Sequence, residues 1–180
     1  LDPKNALAFY NRGLVLRAKG NDERAIADFT KAIEFDAKNA LAFFNRGIAY
    51  RTHGDLERSL ADLNEAVKLD PKNAEAYFER GHALYEKHDY DHAIADLNQA
   101  INIKPDYTAA FNVRGLAYKG KGDSDRAIAD FNQALRIDPK FAAALNNRGN
   151  AFQQKQDFER AIADFDLAIK ANPKNADAYY

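Results

Sequence analysis

The sequence predicts an all-α protein built from repeated helix pairs, and three observations lead to this fold class. First, glycines recur at a spacing of 34 residues, at Gly13, Gly47, Gly81, Gly115 and Gly149. Second, apolar residues around each glycine recur at three- and four-residue spacing, as they do along one face of a helix. Third, turn-forming and capping residues interrupt this pattern twice in every period. A fixed period of this length indicates an array of repeats rather than one globular core.

The period divides the chain into five complete repeats and two partial ones. The complete repeats cover residues 6–39, 40–73, 74–107, 108–141 and 142–175. Residues 1–5 match the end of a repeat, and residues 176–180 match the start of one. We therefore expect the chain to be a segment of a longer array that includes a truncated sixth repeat.

The first helix of each repeat is predicted from the residues around its glycine. In the second repeat, Phe43, Arg46, Gly47 and Tyr50 recur at helical spacing. A glycine inside a helix costs about 1 kcal/mol relative to alanine, so its recurrence at one phase indicates close approach of two helix backbones. The residues suited to a left-handed end of this helix are Gly20, Gly54 and Gly122.

The second helix is bounded by a capping residue and, in most repeats, by a proline. Candidate N-caps are Asn21, Asp55, Asp89, Asp123 and Asp157. One face of the helix in the first repeat carries Ile26, Phe29 and Ile33. Proline cannot continue a helix, and it follows this segment at Pro71, Pro105, Pro139 and Pro173. The next first helix can be capped by Asn39 and Asn73, but not by Tyr107 or Phe141.

An arginine precedes every repeated glycine, and an aspartate follows fifteen residues after that glycine. In the second repeat these residues are Arg46 and Asp62. Both are predicted near the buried sides of their helices, where a charge needs a partner. The arginines could form a basic row for an acidic ligand, or they could form a structural Arg–Asp pair within each repeat. We favour the structural pair because both members recur in all five repeats.

The repeated pattern resembles that of the tetratricopeptide repeat family. It combines an aromatic residue, Arg-Gly, Ala-Tyr, a Gly-Asp turn, Ala-Ile-Ala-Asp-Phe, an Ala-Ile pair and Asp-Pro, and it covers essentially all 180 residues. The resemblance implies antiparallel helix pairs stacked into a right-handed superhelical solenoid. It also implies that the first helices line a concave groove that holds a peptide or partner segment. The repeated arginine departs from the family, which most often has leucine there.

Helix periodicity indicates which side chains of the first helices face the groove. This face is aromatic and aliphatic with two arginines in the first half of the array, and small and amide-rich in the second half. Apolar groups can anchor a partner, and amides can hydrogen-bond a peptide backbone. The alternative is that these residues merely line a solvent-filled groove, or that the aromatic residues pack against neighbouring repeats. The predicted groove residues are Tyr10, Asn11, Leu14, Arg17, Phe44, Asn45, Ile48, Arg51, Phe78, His82, Asn112, Asn146, Asn147 and Asn150.

Two ligand-binding devices of related arrays are matched only in part. The positions of the family's two-carboxylate clamp hold Tyr10, Leu14, Asn45, Glu75 and Glu79. Only Asn45 fits that device, and the two glutamates would repel a carboxylate. Asn11, Asn45 and Asn147 resemble an asparagine ladder that Glu79 and Val113 interrupt. We therefore do not expect binding through the clamp.

The composition excludes several classes of function. A net charge of −1 provides no general attraction to nucleic acid or anionic membranes, and no apolar run is long enough for a membrane span. The chain has no cysteine, and its two serines have no suitably placed histidine for a hydrolase triad. His88 and His92 could meet across a turn and bind zinc with Asp89 or Asp91, but no other repeat offers a second pair of ligands, so chance placement on the surface is favoured. We expect no catalysis, cofactor, nucleic-acid partner or membrane insertion, and we favour a cytoplasmic location.

The sequence therefore predicts a non-catalytic scaffold that binds a partner protein or peptide segment in its groove. One alternative is a structural module that associates with itself end to end. In that case Ile162, Phe165 and Ile169 on the last complete helix would meet Ala8 and Phe9 of another copy. A second alternative is a substrate-recruiting arm of an enzyme whose catalytic domain lies outside this segment.

Overall fold

The computed structural model of the protein describes residues 5–171, and these residues form ten α-helices and no β-strand. The helices are α1 (Ala6–Ala18), α2 (Asp22–Phe35), α3 (Ala40–Thr52), α4 (Leu56–Leu69), α5 (Ala74–Glu86), α6 (Tyr90–Ile103), α7 (Thr108–Gly120), α8 (Ser124–Ile137), α9 (Ala142–Gln154) and α10 (Phe158–Ala171). Within residues 5–171, none of these helices combines the length and the apolar character needed to cross a membrane. The predicted start of a sixth repeat at 176–180, and most of the predicted segment 1–5, lie outside the described residues.

The helices group into two compact units, which are described separately. The first unit ends at Lys87 and contains α1 to α5, and the second begins at His88 and contains α6 to α10. In the first unit α1 packs on α2, α2 on α3, α3 on α4 and α4 on α5. In the second unit α6 packs on α7, and the sequence of contacts continues through α8 and α9 to α10. Consecutive packing of this kind confirms the predicted all-α solenoid of stacked helix pairs.

The first helices of neighbouring repeats also touch one another. In the first unit α1 contacts α3 and α3 contacts α5, and in the second unit α7 contacts α9. Side chains from successive repeats therefore meet along the exposed side of these helices. This contact creates the surface on which the candidate site lies.

The predicted helix caps are confirmed. Asp55 accepts a hydrogen bond from the backbone N–H of Arg58 at 3.0 Å, and the other four predicted caps of second helices make the same contact. Asn39 caps α3 through the N–H of Ala42 at 2.9 Å. The two helices preceded by aromatic residues, α7 and α9, have no side-chain cap. Capping side chains thus set most helix starts, as the sequence indicates.

The turns inside the repeats use two kinds of residue in the left-handed conformation. Gly20, Gly54 and Gly122 have φ of 73°, 85° and 80°, as predicted. The corresponding turns of the third and fifth repeats use His88 and Gln156, each with φ of 62°. These residues carry a Cβ atom and adopt this conformation at a steric cost that glycine avoids. The sequence analysis missed these two positions because no glycine stands at either of them.

The repeated glycines lie where the two helices of a pair approach most closely. A Cβ atom added to Gly115 would lie 2.6 Å from the ring of Phe131, and one added to Gly47 would lie 2.8 Å from Leu63. Phe131 and Leu63 are fully buried. The predicted close approach of the helix backbones is therefore confirmed in both units.

Candidate functional site

The repeated arginines are bound by carboxylates of their own repeats. Arg46 donates through Nε and Nη2 to the two oxygens of Asp62, at 2.7 and 2.8 Å. The same pair of bonds joins Arg12 to Asp28, Arg114 to Asp130 and Arg148 to Asp164. These four aspartates are buried. Burial lowers the pKa of the Arg46 guanidinium, but the hydrogen bonds and negative charge of Asp62 raise it by more, so the net shift is upward. The structural interpretation is confirmed for these four pairs, and a basic row open to a ligand is wrong for them.

Each of these arginines beyond the first repeat also reaches the preceding repeat, a contact that the sequence analysis missed. Nη1 of Arg46 donates to the hydroxyl of Thr30, sixteen residues earlier, at 2.9 Å. Equivalent bonds to a side-chain amide join Arg80 to Asn64 at 2.9 Å, Arg114 to Asn98 at 2.6 Å and Arg148 to Asn132 at 2.6 Å. We call this bond to the preceding repeat the arginine bridge. A signal was available, since these threonine and asparagine acceptors recur with the same period as the arginines.

The apolar groove residues of the first unit lie on α1, α3 and α5 and are half-buried. They are Tyr10, Leu14, Phe44, Ile48 and Phe78. The Tyr10 ring lies 6.0 Å from that of Phe29, and Phe44 packs against the buried cluster formed by Ala66, Val67 and Ala76. The aromatic groups therefore support the packing of repeats and also present part of their surface. Leu7 and Leu41, on the same face, are 63% and 50% exposed.

Asn45 joins two first helices instead of presenting its amide to solvent. Its Nδ2 donates to the hydroxyl of Tyr10 at 3.2 Å and to the carbonyl of Leu41 at 2.8 Å. The side chain is buried. Burial raises the pKa of the Tyr10 hydroxyl, against the opposing effects of Arg17 and Asn45. The predicted groove residues Tyr10 and Asn45 thus contact each other directly.

Charged side chains of α1, α3 and α5 lie close to one another. Arg51 on α3 donates through Nε to Glu79 at 3.1 Å and through Nη1 to Glu86 at 2.8 Å. Nε2 of His82 lies 3.5 Å from Glu86. We call Arg17, Arg51, Glu79, His82 and Glu86 the charged cluster. It links α3 to α5 through ion pairs that the sequence analysis did not foresee.

Burial shifts the titration of two groups in the charged cluster. It raises the pKa of Glu79, although Arg51 and Arg17 oppose that shift. It lowers the pKa of His82, and the positive charge of Arg51 lowers it further while Glu86 opposes. The imidazole is therefore neutral near pH 7.

Two buried polar atoms of the charged cluster have no hydrogen-bond partner among residues 5–171. They are Nη1 of Arg17 and Nδ1 of His82. Arg51 is bonded to two glutamates, whereas Nη1 of Arg17, the other predicted groove arginine, has no acceptor among the described residues. Buried polar atoms are normally hydrogen-bonded, so each of these two exceptions calls for an explanation.

The second unit carries amides on the corresponding face of α7 and α9. Asn147 donates through Nδ2 to Oδ1 of Asn112 at 2.9 Å. Asn112 is only 7% exposed, so it is a buried acceptor for Asn147 rather than a surface amide. Asn146 is exposed and Asn150 is half-buried. Asn11, the remaining predicted amide, is exposed on α1 in the first unit.

The comparison with protein families matches tetratricopeptide repeats along most of the chain. A model described as TPR repeat matches residues 13–54, 49–88 and 81–122. A second model, described as tetratricopeptide repeat, matches residues 112–176. A search of curated proteins found no match.

Solved structures share this architecture over nearly the whole chain. A crystal structure of MamA is 29% identical, with a TM-score of 0.81, and the match covers 92% of this chain and 96% of MamA. YrrB, described as a TPR protein with an unusual peptide-binding site, is 24% identical with a TM-score of 0.77, covering 97% of this chain and 90% of YrrB. PilF of Pseudomonas aeruginosa is 22% identical with a TM-score of 0.85, covering 96% and 79%. The likenesses to YrrB and PilF concern the fold alone.

Proposed function

The chain belongs to the tetratricopeptide repeat family, and we propose that it is a non-catalytic scaffold whose first unit binds a partner segment. The observation that carries this proposal is the row of half-buried aromatic side chains Tyr10, Phe44 and Phe78 on three successive first helices. Partly exposed aromatic groups held by a rigid scaffold are typical anchors of protein interfaces. Leu14 and Ile48 extend the same apolar surface.

The anchors are held in place before a partner arrives. Tyr10 is fixed by its hydrogen bond to Asn45, and Phe44 is fixed by its packing on a buried cluster. A surface that needs little ordering on binding loses less conformational entropy. In the first unit, the exposed amide of Asn11 would hydrogen-bond the backbone of the partner segment. In the second unit, taken by itself, Asn146, Asn147 and Asn150 would offer the same kind of bond to a peptide backbone, with Asn112 positioning Asn147.

A groove variant tests this proposal. The purified protein is used to capture partners, and one captured segment is then titrated against Tyr10→Ala/Phe44→Ala/Phe78→Ala. Loss of these anchors should weaken binding by at least about a hundredfold, as expected for central anchor residues. The matched control is Phe158→Ala, which removes a phenylalanine that is 59% exposed on α10.

A second groove variant avoids the half-buried positions. Leu7→Asp/Leu41→Asp changes two exposed residues of the same face and should weaken binding without affecting the unfolding midpoint. Unchanged affinity in both groove variants would contradict the proposal. The same holds if changes at Asn112, Asn146 and Asn150 alone abolish binding.

A second candidate function is end-to-end association with another copy of the chain. On α10, Ile162 and Ile169 are 61% and 53% exposed, whereas Leu135, which corresponds to Ile169, is 9% exposed under α9. Ala8 on α1 is exposed, while its counterparts in later repeats are fully buried. The two surfaces would meet as equivalent surfaces do inside each unit, and such a head-to-tail contact need not close.

Sedimentation from micromolar to millimolar concentration tests this association. The average mass should rise without a plateau at the dimer, and Ile162→Lys/Ile169→Lys should hold the protein monomeric. A constant monomer mass for the unmodified protein would contradict the association.

A further inference from the structure

We propose that Arg17, at the C-terminal turn of α1, binds the side-chain carboxylate of an acidic residue in the partner segment. This inference rests on the proposed function, since it specifies the chemistry of the partner at one position of the same surface. It concerns a position outside those of the two-carboxylate clamp considered above.

The first reason is the state of the guanidinium group. Arg17 is partly buried, and its Nη1 atom is buried without an acceptor among residues 5–171. Because the side chain as a whole is only partly buried, rotation of the guanidinium group would bring Nη1 to a ligand oxygen, which would satisfy this donor. The repeated arginines differ in this respect, since Arg46, Arg114 and Arg148 each have two carboxylate oxygens and a further acceptor.

The second reason is that the nearest carboxylate is committed elsewhere. Glu79 lies close enough to Arg17 for the positive charge to lower the pKa of its carboxyl, but its hydrogen bonds go to Arg51. Arg51 also binds Glu86. One arginine thus serves two glutamates, and the charge of Arg17 has no carboxylate in direct contact within the described residues.

The third reason is the match between donor and ligand. A guanidinium group presents parallel N–H donors that fit the two oxygens of a carboxylate, and the charge strengthens the hydrogen bonds. A neutral carbonyl would satisfy the donor but leave the charge unpaired. His82, whose Nδ1 is the second unpartnered atom of the charged cluster, is neutral near pH 7 and adds no competing positive charge. We therefore assign Arg17 to an aspartate or glutamate side chain.

Arginine side-chain resonances in NMR spectra provide a direct test with defined probes. The probe is N-acetylglutamate N-methylamide, in which the side-chain carboxylate is the only charge. The matched probe is N-acetylglutamine N-methylamide, and a third probe, N-acetylglutamine with a free carboxyl terminus, represents the end of a chain. The Arg17 signal should shift saturably with the glutamate probe and at least tenfold more weakly with the uncharged glutamine probe, while the free carboxyl terminus should bind no more tightly than the side-chain carboxylate.

Variants locate the response. Arg17→Gln should abolish binding of the glutamate probe, and Arg136→Gln, at an exposed position on α8, should leave it unchanged. Equal binding of the glutamate probe and the uncharged glutamine probe, tighter binding of the free carboxyl terminus, or no saturable shift would each overturn the assignment.

A stability measurement separates a ligand-binding arginine from a structural one. Arg17→Met removes a donor that has no partner, so the unfolding midpoint should stay the same or rise, whereas Arg46→Met should lower it clearly. An equal decrease in both variants would make Arg17 a structural residue and overturn the proposal. If the aromatic groove variant still abolishes partner capture while Arg17 fails these tests, the carboxylate site alone is wrong.

Discussion

The two units share one way of joining repeats but differ in what their first helices present. In both units the arginine bridge connects neighbouring repeats, through Arg46 and Thr30 in the first and through Arg114 and Asn98 in the second. On the first-helix face, however, the first unit has aromatic residues and the charged cluster. The second unit has the amide pair of Asn112 and Asn147 at the corresponding place.

This difference separates structural residues from binding residues within one repeated pattern. A side chain that recurs at a fixed phase and has all its polar atoms paired maintains the stacking of helices. A side chain that changes from repeat to repeat on the same face is free to adapt to a partner. Arg17, whose Nη1 has no acceptor, is a side chain of the variable kind, whereas Arg46 and its equivalents are of the recurring, fully paired kind.

The largest expected effect concerns the Arg–Asp pair within each repeat, which should matter equally in both units. Arg46→Ala and Arg114→Ala each leave a buried aspartate without its partner, and removing one member of a buried pair costs about 3–5 kcal/mol. The free energy of unfolding measured in urea should fall by this amount in each variant. Arg12→Ala should cost clearly less, because the Arg12 side chain is 65% exposed.

The exposed Arg136→Ala is the surface control for these measurements. Small and equal losses for Arg46, Arg114 and Arg136 would mean that the repeated arginines have no structural role. A large loss of unfolding free energy for only one of Arg46→Ala and Arg114→Ala would show that the Arg–Asp pair does not contribute equally in the two units.

An intermediate effect is expected at the repeated glycines, and it should differ between the units. Gly115→Ala would place Cβ 2.6 Å from the buried Phe131 ring, and Gly47→Ala would place it 2.8 Å from Leu63. Overpacking costs about 1–3 kcal/mol, while the better helix propensity of alanine returns about 1 kcal/mol. Since a ring shifts less readily than a leucine, thermal unfolding should show the greater loss for Gly115→Ala.

The reverse change Ala129→Gly, at an exposed position of α8, measures the difference in helix propensity between alanine and glycine without any change in packing. A gain in stability for both glycine variants would contradict the close approach of the helices.

The smallest expected effect is a pH dependence that only the first unit provides through its charged cluster. The pKa of His82 is lowered below its ordinary value of 6.5, chiefly by burial and then by Arg51, with Glu86 opposing. Between pH 6.5 and the lowered pKa of His82, the unfolded chain binds a proton at this residue and the folded protein does not. The free energy of unfolding therefore falls as the pH drops below about 6.5. The raised pKa of Glu79 acts in the opposite direction above its ordinary value of 4.5, because there the folded protein holds the proton.

His82→Gln isolates the histidine contribution. Urea unfolding at pH 7.5 and pH 6.0 should show a smaller loss on acidification for this variant than for the unmodified protein. The matched control His53→Gln changes an exposed histidine and should leave the difference unaltered. Identical pH dependence in all three proteins would exclude His82 as its source.

The features that the sequence predicts well are local or strictly periodic. Caps such as Asp55 and turns such as Gly54 depend on a few neighbouring residues. The pairing of Arg46 with Asp62 could be inferred because both recur at fixed phases. The fold class follows from the same period, since each repeat contributes one helix pair.

The features that the sequence does not predict depend on where long side chains end in space. Periodicity places Arg51 on the groove face, but it does not reveal that Glu79 and Glu86 bind it. Nor does it distinguish Arg17, whose Nη1 lacks an acceptor, from Arg51. Asn112 follows the pattern of a surface amide, yet it is buried and accepts a hydrogen bond from Asn147.

The arginine bridge has a consequence for how such arrays change in length. Each bridge spans sixteen residues and connects only adjacent repeats, and its acceptor is a threonine in one case and an asparagine in the others. Recombination that adds or removes one 34-residue unit of the gene therefore creates a joint of the same kind and leaves the remaining joints intact. Array length can thus evolve in whole steps, while the first-helix surface diversifies independently at each copy.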